Sequence, residues 1–408
     1  MENEQQMSSH SPKAEAQTRF DAVIVGGGMV GAAAALGLAQ KGWSVAVIEY
    51  QTPEFPVTEG VPDLRISAIS HRSVELLMRL GVWSTIEATG RITPYKSLET
   101  WEDPNSLVSF TAASLQIEQL GFMAENRLLQ SMVWQAFAQT SNITALAPER
   151  VVSLLQRENG DWRVTLASGK QIVTPLVIGA DGAHSQVRQL THIGTRGWQY
   201  SQSCMLVIVR LEEDAPEVTW QHFTPQGPRA FLPLFDKWAC LVWYDDSQTI
   251  ASLRQKSPEE LKPLIKANFP ARLPEFTVEK SGGFPITRMH AQHYVKEGVV
   301  LVGDAAHTIN PLAGQGVNLG YRDVETLIEV LTQARDKGEE YHTLDVLKRY
   351  ERRRYPDNLL MQSGMDVFYY TFSNEVAPLK LARNLGLRLA QKSGKLKTWA
   401  LRYAIGLK

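Results

Sequence analysis

Residues 20–49 constrain the fold most tightly. The run FDAVIV is apolar and β-branched enough for a buried strand, GGGMVG breaks it, AAAALGLAQKG suits a helix, and WSVAVIE returns to strand. That order is a complete βαβ unit, which joins two parallel strands through one helix and commits the chain to a sheet with covered faces. Gly26, Gly28 and Gly31 form a GxGxxG between strand and helix. The first glycine permits a tight turn, the second lets backbone approach a pyrophosphate, and the third lets helix pack on strand, while the helix N-terminal amides face the phosphates. Glu49 closes the second strand, where a carboxylate accepts hydrogen bonds from an adenosine ribose.

The rest of the chain extends this beginning. HRSVELLMRLGV and ENRLLQSMVWQAFAQ have helical spacing, and RVVSLLQR, WRVTLAS and QIVTPLVIGADG read as strands. Between about Thr191 and Pro285, β-branched and aromatic residues gather in MLVIVRL, VTWQHF, RAFLPLF and WACLVWYDD, a pattern that predicts an antiparallel sheet and a second domain. At VVLVGDAAH a buried strand resumes the first domain, and beyond Val346 the chain is helical and increasingly basic. The expected division is a discontinuous first domain over 20–90, 122–190 and 286–345, a second over 91–121 and 191–285, and a helical region over 346–408. Residues 1–19 are polar, without the apolar core of a signal peptide, and are expected to be a disordered leader. No apolar run is long enough to span a bilayer, which points to a cytoplasmic protein. A net charge of −1 gives no reason to expect nucleic acid. Cys204 and Cys240 lack CxxC or Cys/His spacing, so they are expected to be reduced, buried thiols rather than a zinc site or a disulfide.

Two further glycine-bearing turns follow: GADGAHSQVR at Gly179–Arg188 and GDAAHTINPLAGQGVN at Gly303–Asn318. With the first turn, and in this order, they resemble the fingerprint of the flavoprotein aromatic hydroxylases, the para-hydroxybenzoate hydroxylase-like family. The resemblance implies an α/β fold: a Rossmann-like FAD-binding domain, an inserted antiparallel-sheet substrate domain and a helical C-terminus. It implies that Asp304 hydrogen-bonds the ribityl and pyrophosphate region of FAD. The turn with Pro311, Gly314, Gln315 and Gly316 would lie against the isoalloxazine, and Val317 and Asn318 would extend that contact. Glycine amides and a helix N-terminus there would stabilise negative charge on reduced flavin. Asp181, Gly182 and Arg188 would serve FAD and nicotinamide binding. Arg65 in DLRISAIS and Asn126 in ENRLL occupy further places of FAD contact, with a surface ion pair or a helix cap as the alternative for each. His307 has no ligand partners at metal spacing and reads as a packing or hydrogen-bonding residue, so no metal is expected. No catalytic side chain is assigned, because the flavin carries the chemistry.

RISAISHRSVELLMRLGVW, WQYSQSCMLVIVR, WQHFTPQGPRAFLPL and GDAAHTINPLAGQGVNLGYRDVETL are similar to one branch, the ubiquinone-biosynthesis hydroxylases. The branch implies hydroxylation of a polyprenylated benzoquinol of the 3-demethoxyubiquinol type, through a flavin hydroperoxide formed from NAD(P)H-reduced FAD and molecular oxygen. NAD(P)H would bind transiently, since no second GxGxxG is present, and the choice between NADH and NADPH stays open. A polyprenyl substrate must be met at a membrane or on a lipid-carrying partner. From Val376 onward the chain carries Lys380, Arg383, Arg388, Lys392, Lys395, Lys397, Arg402 and Lys408 and no Asp or Glu. This segment is either a contact for the inner face of the membrane or an acidic protein of the pathway, or a solvated helix face packed on the flavin domain. Two other functions are open: hydroxylation of another pathway intermediate or a small soluble phenol, and a non-catalytic flavoprotein subunit of a biosynthetic complex.

Overall fold

A computed structural model describes residues 18–54, 60–311, 314–374 and 376–406. Residues 1–17 of the expected leader, and Lys408, lie outside the described residues. The leader ends earlier than expected: Thr18–Arg19 pair in parallel with Ile172–Val173, and Arg19 forms an ion pair with Asp161.

One sheet has six strands, in the order Val295–Lys296, Val299–Leu301, Val177–Gly179, Ala22–Val25, Val45–Ile48 and Ile143–Leu146. All neighbours run parallel except the first pair. AVIV, VAVI, VIG and VVL are buried at every position, as strands covered on both faces must be. Against them lies the helix Met29–Gln40, whose Ala32–Ala35 run is fully buried and small enough to let the helix settle close to the strands.

The second large sheet has eight strands, with the long Thr195–Leu211 strand lying between Trp238–Asp246 and Phe276–Ala291. Period-two alternation sorts its side chains. Met205, Val207 and Val209 face a cluster with Trp220, Phe231 and Ile265, whereas Cys204, Leu206 and Ile208 face another with Tyr200, Tyr244 and Tyr369. Both cysteines are buried free thiols, and burial pushes the Cys240 thiol up to about 12 and Cys204 higher still. The sheet departs from a purely antiparallel one at Val218–His222, which pairs in parallel with Ser97–Trp101. Those strands come from distant segments, so no hairpin forces them to oppose. Phe276–Ala291 runs unbroken past residue 285 and pairs at Met289–His290 with His307–Thr308, which joins the second sheet to the third glycine-bearing segment.

The C-terminal region is helical at Leu344–Phe372, Ala377–Lys392 and Lys395–Ile405, and Tyr369, Phe372 and Leu387 cover one face of the eight-stranded sheet. Among the described residues no helix is long and apolar enough to cross a membrane.

A buried ion pair clamps the Arg229–Pro233 and Trp238–Asp246 strands: Arg229 Nη2 donates to Asp245 Oδ2 at 2.8 Å, and Trp243 Nε1 donates to the same oxygen at 3.0 Å. Burial pulls the Arg229 pKa down to about 10 despite Asp245. Arg229→Met, which strands a buried carboxylate, is expected to cost about 3–5 kcal/mol in thermal or denaturant unfolding, and adding Asp245→Ala should recover part of that loss.

Candidate functional site

The motif turns leave the carboxyl ends of four adjacent parallel strands. Gly26 follows Ala22–Val25, Glu49 follows Val45–Ile48, Asp181 lies beyond Val177–Gly179, and Asp304 beyond Val299–Leu301. Ligands in open α/β sheets bind outside these strand ends. The turns also touch. A Cβ on Gly26 (φ +99°) would come within 2.4 Å of Ala180 O, one on Gly31 within 1.8 Å of Gly26 O, and one on Gly303 within 3.2 Å of Val30. Gly28 differs, because nothing lies within 4 Å of where its Cβ would be. Its backbone is therefore open to a ligand.

Glu49 holds the first turn together with two side chains that the sequence did not single out, Trp134 and Gln130. Glu49 Oε2 accepts from Gly27 N at 2.6 Å, while Trp134 Nε1 and Gln130 Nε2 donate to Gly27 O at 2.7 and 2.9 Å. Glu49 is thus already fixed beside the glycine turn.

Asp181 caps the short Gln186–Leu190 helix by accepting from Gln186 N at 2.7 Å and Val187 N at 3.1 Å. Its other oxygen is buried without a partner, and burial raises its pKa against those amide bonds. Gly182 has φ +78° and open space at its Cβ position. Arg188 is buried, and its guanidinium donates to Ala305 O and Ala183 O, each at 2.7 Å, so it ties the second turn to the third.

Asp304 is exposed, and desolvation by the surrounding protein raises its carboxyl pKa against the opposing pull of His307 and Arg65. Behind it lies the anchor of this turn. Asp323 accepts from Gly303 N at 3.0 Å, His307 Nε2 at 2.5 Å, Arg354 Nε at 2.8 Å and Asn358 Nδ2 at 3.0 Å. Burial alone would raise the Asp323 carboxyl, but His307 and Arg354 hold it well below the usual range. As the carboxylate only accepts, His307 Nε2 donates, which makes His307 the hydrogen-bonding residue expected. No cluster of three or more metal-binding side chains occurs among the described residues.

Pro311 O accepts from Gly314 N at 2.9 Å, closing the turn before the Gly316–Asp336 helix. Gly314 (φ +59°) sits against Ala68, with 3.3 Å to its Cβ from where a glycine Cβ would be. Asn318 is completely buried and staples the helix start to the Ile66–Ser70 strand, accepting from Ser70 N at 2.9 Å and Ser73 Oγ at 2.8 Å and donating to Ala68 O at 2.8 Å. Val317 is also turned into the core. With their side chains engaged inward, Val317 and Asn318 offer a ligand only first-turn amides, which have no partner within the helix.

Arg65 is exposed and makes no ion pair among the described residues; its guanidinium stacks 4.3 Å from the centre of the Phe284 ring. Its ordinary role as a surface ion pair is not what the structure shows. Asn126 is the first residue of its helix, not the cap: its N–H donates to Arg65 O at 2.9 Å and its Oδ1 accepts from Ser67 Oγ at 2.6 Å. The two residues are therefore held together. Tyr244 of the eight-stranded sheet, the sheet that also carries Phe284, donates to Asn310 Oδ1 at 3.5 Å, immediately before Pro311.

These features fit a dinucleotide. Met29–Gln40 and Gly316–Asp336 both begin with neither a side-chain cap nor an acidic residue in the first turn, so their N-terminal charge is left for an anion. Size alone does not locate the site: a groove of about 610 Å³ lined by Leu154, Trp162, Thr191, His293 and Lys348 holds no motif residue.

The FAD binding domain family matches residues 19–359. The chain is 53% identical to 3-demethoxyubiquinol 3-hydroxylase of Escherichia coli over 384 residues, covering 94% of this chain and 98% of that protein. It is 35% identical to the ubiquinone hydroxylase UbiL of Rhodospirillum rubrum, covering 95% and 89% of the two chains. The crystal structure of p-nitrophenol 4-monooxygenase PnpA from Pseudomonas putida superposes with a TM-score of 0.79 at 19% identity, over 96% of this chain and all (100%) of that one, and shares its fold.

Two substitutions should separate ligand contact from packing. Gly28→Ala is expected to leave apo-protein stability within about 1 kcal/mol while weakening FAD at least tenfold or so, whereas Gly31→Ala should lower both; flavin fluorescence titration and thermal melting read the two effects. For the anchor, Asp323→Asn is expected to cost about 3–5 kcal/mol near neutral pH. Because the folded-state pKa is depressed, Asp323 stabilises fully above its unfolded value of about 4 and loses that contribution as pH falls toward the folded value. The gap between wild type and variant should therefore be full above about pH 5 and narrow below about pH 4 in unfolding measurements.

Proposed function

The chain belongs to the FAD-binding-domain family, and from that premise we propose that it hydroxylates the benzoquinol ring of a polyprenylated ubiquinone precursor of the 3-demethoxyubiquinol type, using NAD(P)H and molecular oxygen. The observation that carries this reading is the 53% identity over 94% of the chain, which takes in both the cofactor turns and the eight-stranded sheet.

Bound FAD would supply the hydride acceptor and the oxygen-activating centre. The chain's own residues bind, orient and shield. In this reading Gly26, Gly28 and Gly31 with the amides of Met29–Gln40 take the pyrophosphate, and Glu49 takes the adenosine ribose. Asp304 holds the ribityl and pyrophosphate region, assisted by Arg65 and Asn126. Gly314, Gln315 and Gly316, with the amides of Val317 and Asn318, face the isoalloxazine beside Pro311. Asp181, Gly182 and Arg188 act chiefly through the shape of the adjoining turn. Segments 20–90, 122–190 and 286–345 form the FAD-binding part and 91–121 with 191–285 the substrate part.

The cleft-facing side of the sheet suits an apolar ring and tail. Tyr200, Cys204, Leu206, Phe223 and Tyr244 belong to one buried cluster. Arg288, a candidate cation on this side, is paired with Asp366 at 2.8 Å, which leaves it no free charge for a benzoate carboxylate. Such walls keep water from the reacting centre and hold the ring near the flavin. Each CH₂ of a polyprenyl tail favours an apolar phase by about 0.8 kcal/mol, so the substrate is met at the membrane surface, with the basic C-terminal segment as the point of contact for lipid or for pathway proteins.

The purified FAD-loaded protein, given NAD(P)H, oxygen and a short-tailed demethoxyubiquinol, is expected to show substrate-stimulated NAD(P)H oxidation and a product heavier by one oxygen in mass spectrometry. A flavin that is reduced and reoxidised without a hydroxylated product would sink the substrate assignment.

A further inference from the structure

The helix Ala377–Lys392 is built inside out. Its inward face carries Arg383 and Leu387, at 6% and 8% exposure, while Leu381, Leu385 and Leu389 stand outward at 75%, 54% and 59%. Those leucines recur every fourth residue and form one stripe. Polar contacts fix this orientation. Arg383 Nε donates to Glu102 Oε2 at 2.7 Å, its Nη2 donates to the other oxygen, its Nη1 donates to Asn374 Oδ1 at 3.0 Å, and Asn384 Nδ2 donates to Glu102 at 2.7 Å. Turning the helix to bury its leucines would strand Glu102 without a counter-charge.

The preceding helix ends in the same manner, with Val367, Phe368 and Tyr370 at 65%, 47% and 59% exposure. Phe368 stacks on Phe372 at 6.1 Å, and the Arg383 guanidinium lies 5.8 Å from the Phe372 ring, so the two outward groups adjoin one anchored core. Scattered apolar residues on a surface need no explanation, but a set on consecutive helices does. Residues 376–406 contain no Asp or Glu, and Lys380, Arg388, Lys392 and Lys395 are exposed among them. Arg388 and Lys392 share the leucine face by helical spacing. Apolar side chains interspersed with positive charge, on a helix that itself carries no Asp or Glu, match the surface of an anionic bilayer. The inward side of the same helix places Leu387 in the cluster that holds Tyr200, Cys204 and Tyr244.

We propose that the outward face of Ala377–Lys392, with the end of the preceding helix, docks into an anionic lipid bilayer: the leucines enter the acyl region, the basic residues meet the headgroups, and the quinol enters beside this helix. The entry of the quinol rests on the function proposed above; the docking does not.

The test uses the full-length, FAD-loaded protein and flotation with vesicles of phosphatidylcholine, with and without phosphatidylglycerol. Wild type should float with the anionic vesicles, and added salt should weaken the binding. The triple variant L381S/L385S/L389S should bind at least about 100-fold more weakly while keeping its flavin and its rate on a short-tailed, water-soluble quinol. Arg388→Gln with Lys392→Gln should weaken binding to the anionic vesicles alone. Failure of wild type to float, or equal flotation of the triple variant, overturns the proposal. So does a concentration-dependent dimer in sedimentation that the triple variant abolishes, which would make a second copy of the chain the occupant. Flotation without quinol turnover would support docking and refute the substrate instead.

Discussion

Asp323 is completely buried, and its two oxygens accept hydrogen bonds from four groups on three elements of the chain: the Gly303 amide, the His307 ring, and the Arg354 guanidinium and Asn358 amide of one helix. A buried carboxylate is costly unless it is paired and fully hydrogen-bonded, and here both conditions are met. The geometry that satisfies Asp323 also sets the position of Gly303, hence of Asp304 beside it, and draws the Leu344–Phe372 helix against the Gly316–Asp336 helix. The turn that carries Asp304 is thereby fixed from its buried side. Tyr294 joins the same network through Asn358 at 3.4 Å, and its backbone carbonyl accepts from Leu301 N at 2.8 Å, so the Val299–Leu301 strand that feeds the turn is coupled to it as well.

Arg188 repeats this logic across the two neighbouring turns. Its guanidinium spans Ala183 O and Ala305 O, and a planar fork with several donors can bridge two carbonyls in a way that a lysine cannot. Asn318 does the same between helix and strand. The residues nearest the cleft are correspondingly plain: glycines, amides and an accessible carboxylate. In the function proposed above, such a site would bind by backbone shape and helix-end charge, and specificity for the second substrate would fall to the eight-stranded sheet. That sheet is buried on both faces, so alternate residues of Thr195–Leu211 answer to different cores. Shifting its register by one would exchange Cys204 and Leu206 for Met205 and Val207 along the substrate side.

The cofactor half was legible because its constraints are local. A tight turn, a close approach and a helix start each require particular residues at fixed spacing, which is why Gly26, Gly28 and Gly31 could be named from the sequence, whereas Asp304 was named through the family resemblance alone. The all-buried strands were legible for the same reason, as unbroken apolar runs. Ile143–Leu146 was not: its four residues are only partly buried or exposed, and an edge strand of that kind has no pattern of its own. Nor were the contacts that bind distant segments. Nothing about Glu102 or Arg383 separates them from surface charges until the fold buries them against each other, and Trp134 reads as a core aromatic until its indole is seen on Gly27. The parallel entry of Ser97–Trp101 beside Val218–His222 is likewise a property of topology, invisible to alternation.

The buried ion pairs explain more about orientation than about stability. Replacing a satisfied pair with apolar residues of similar size often leaves stability unchanged or raises it, so Glu102 with Arg383 is poorly accounted for as a source of stability. An apolar helix face facing the sheet would bury more surface, and Leu381, Leu385 and Leu389 could have supplied it. The pair instead makes one helix orientation far cheaper than its reverse, as a polar residue in a coiled-coil seam selects a register. The same argument applied to Asp323 gives a turn held in one conformation. In both places burial of charge purchases direction, and in each the element so directed presents to its surroundings what the core would otherwise have taken: bare amides at one, leucines at the other.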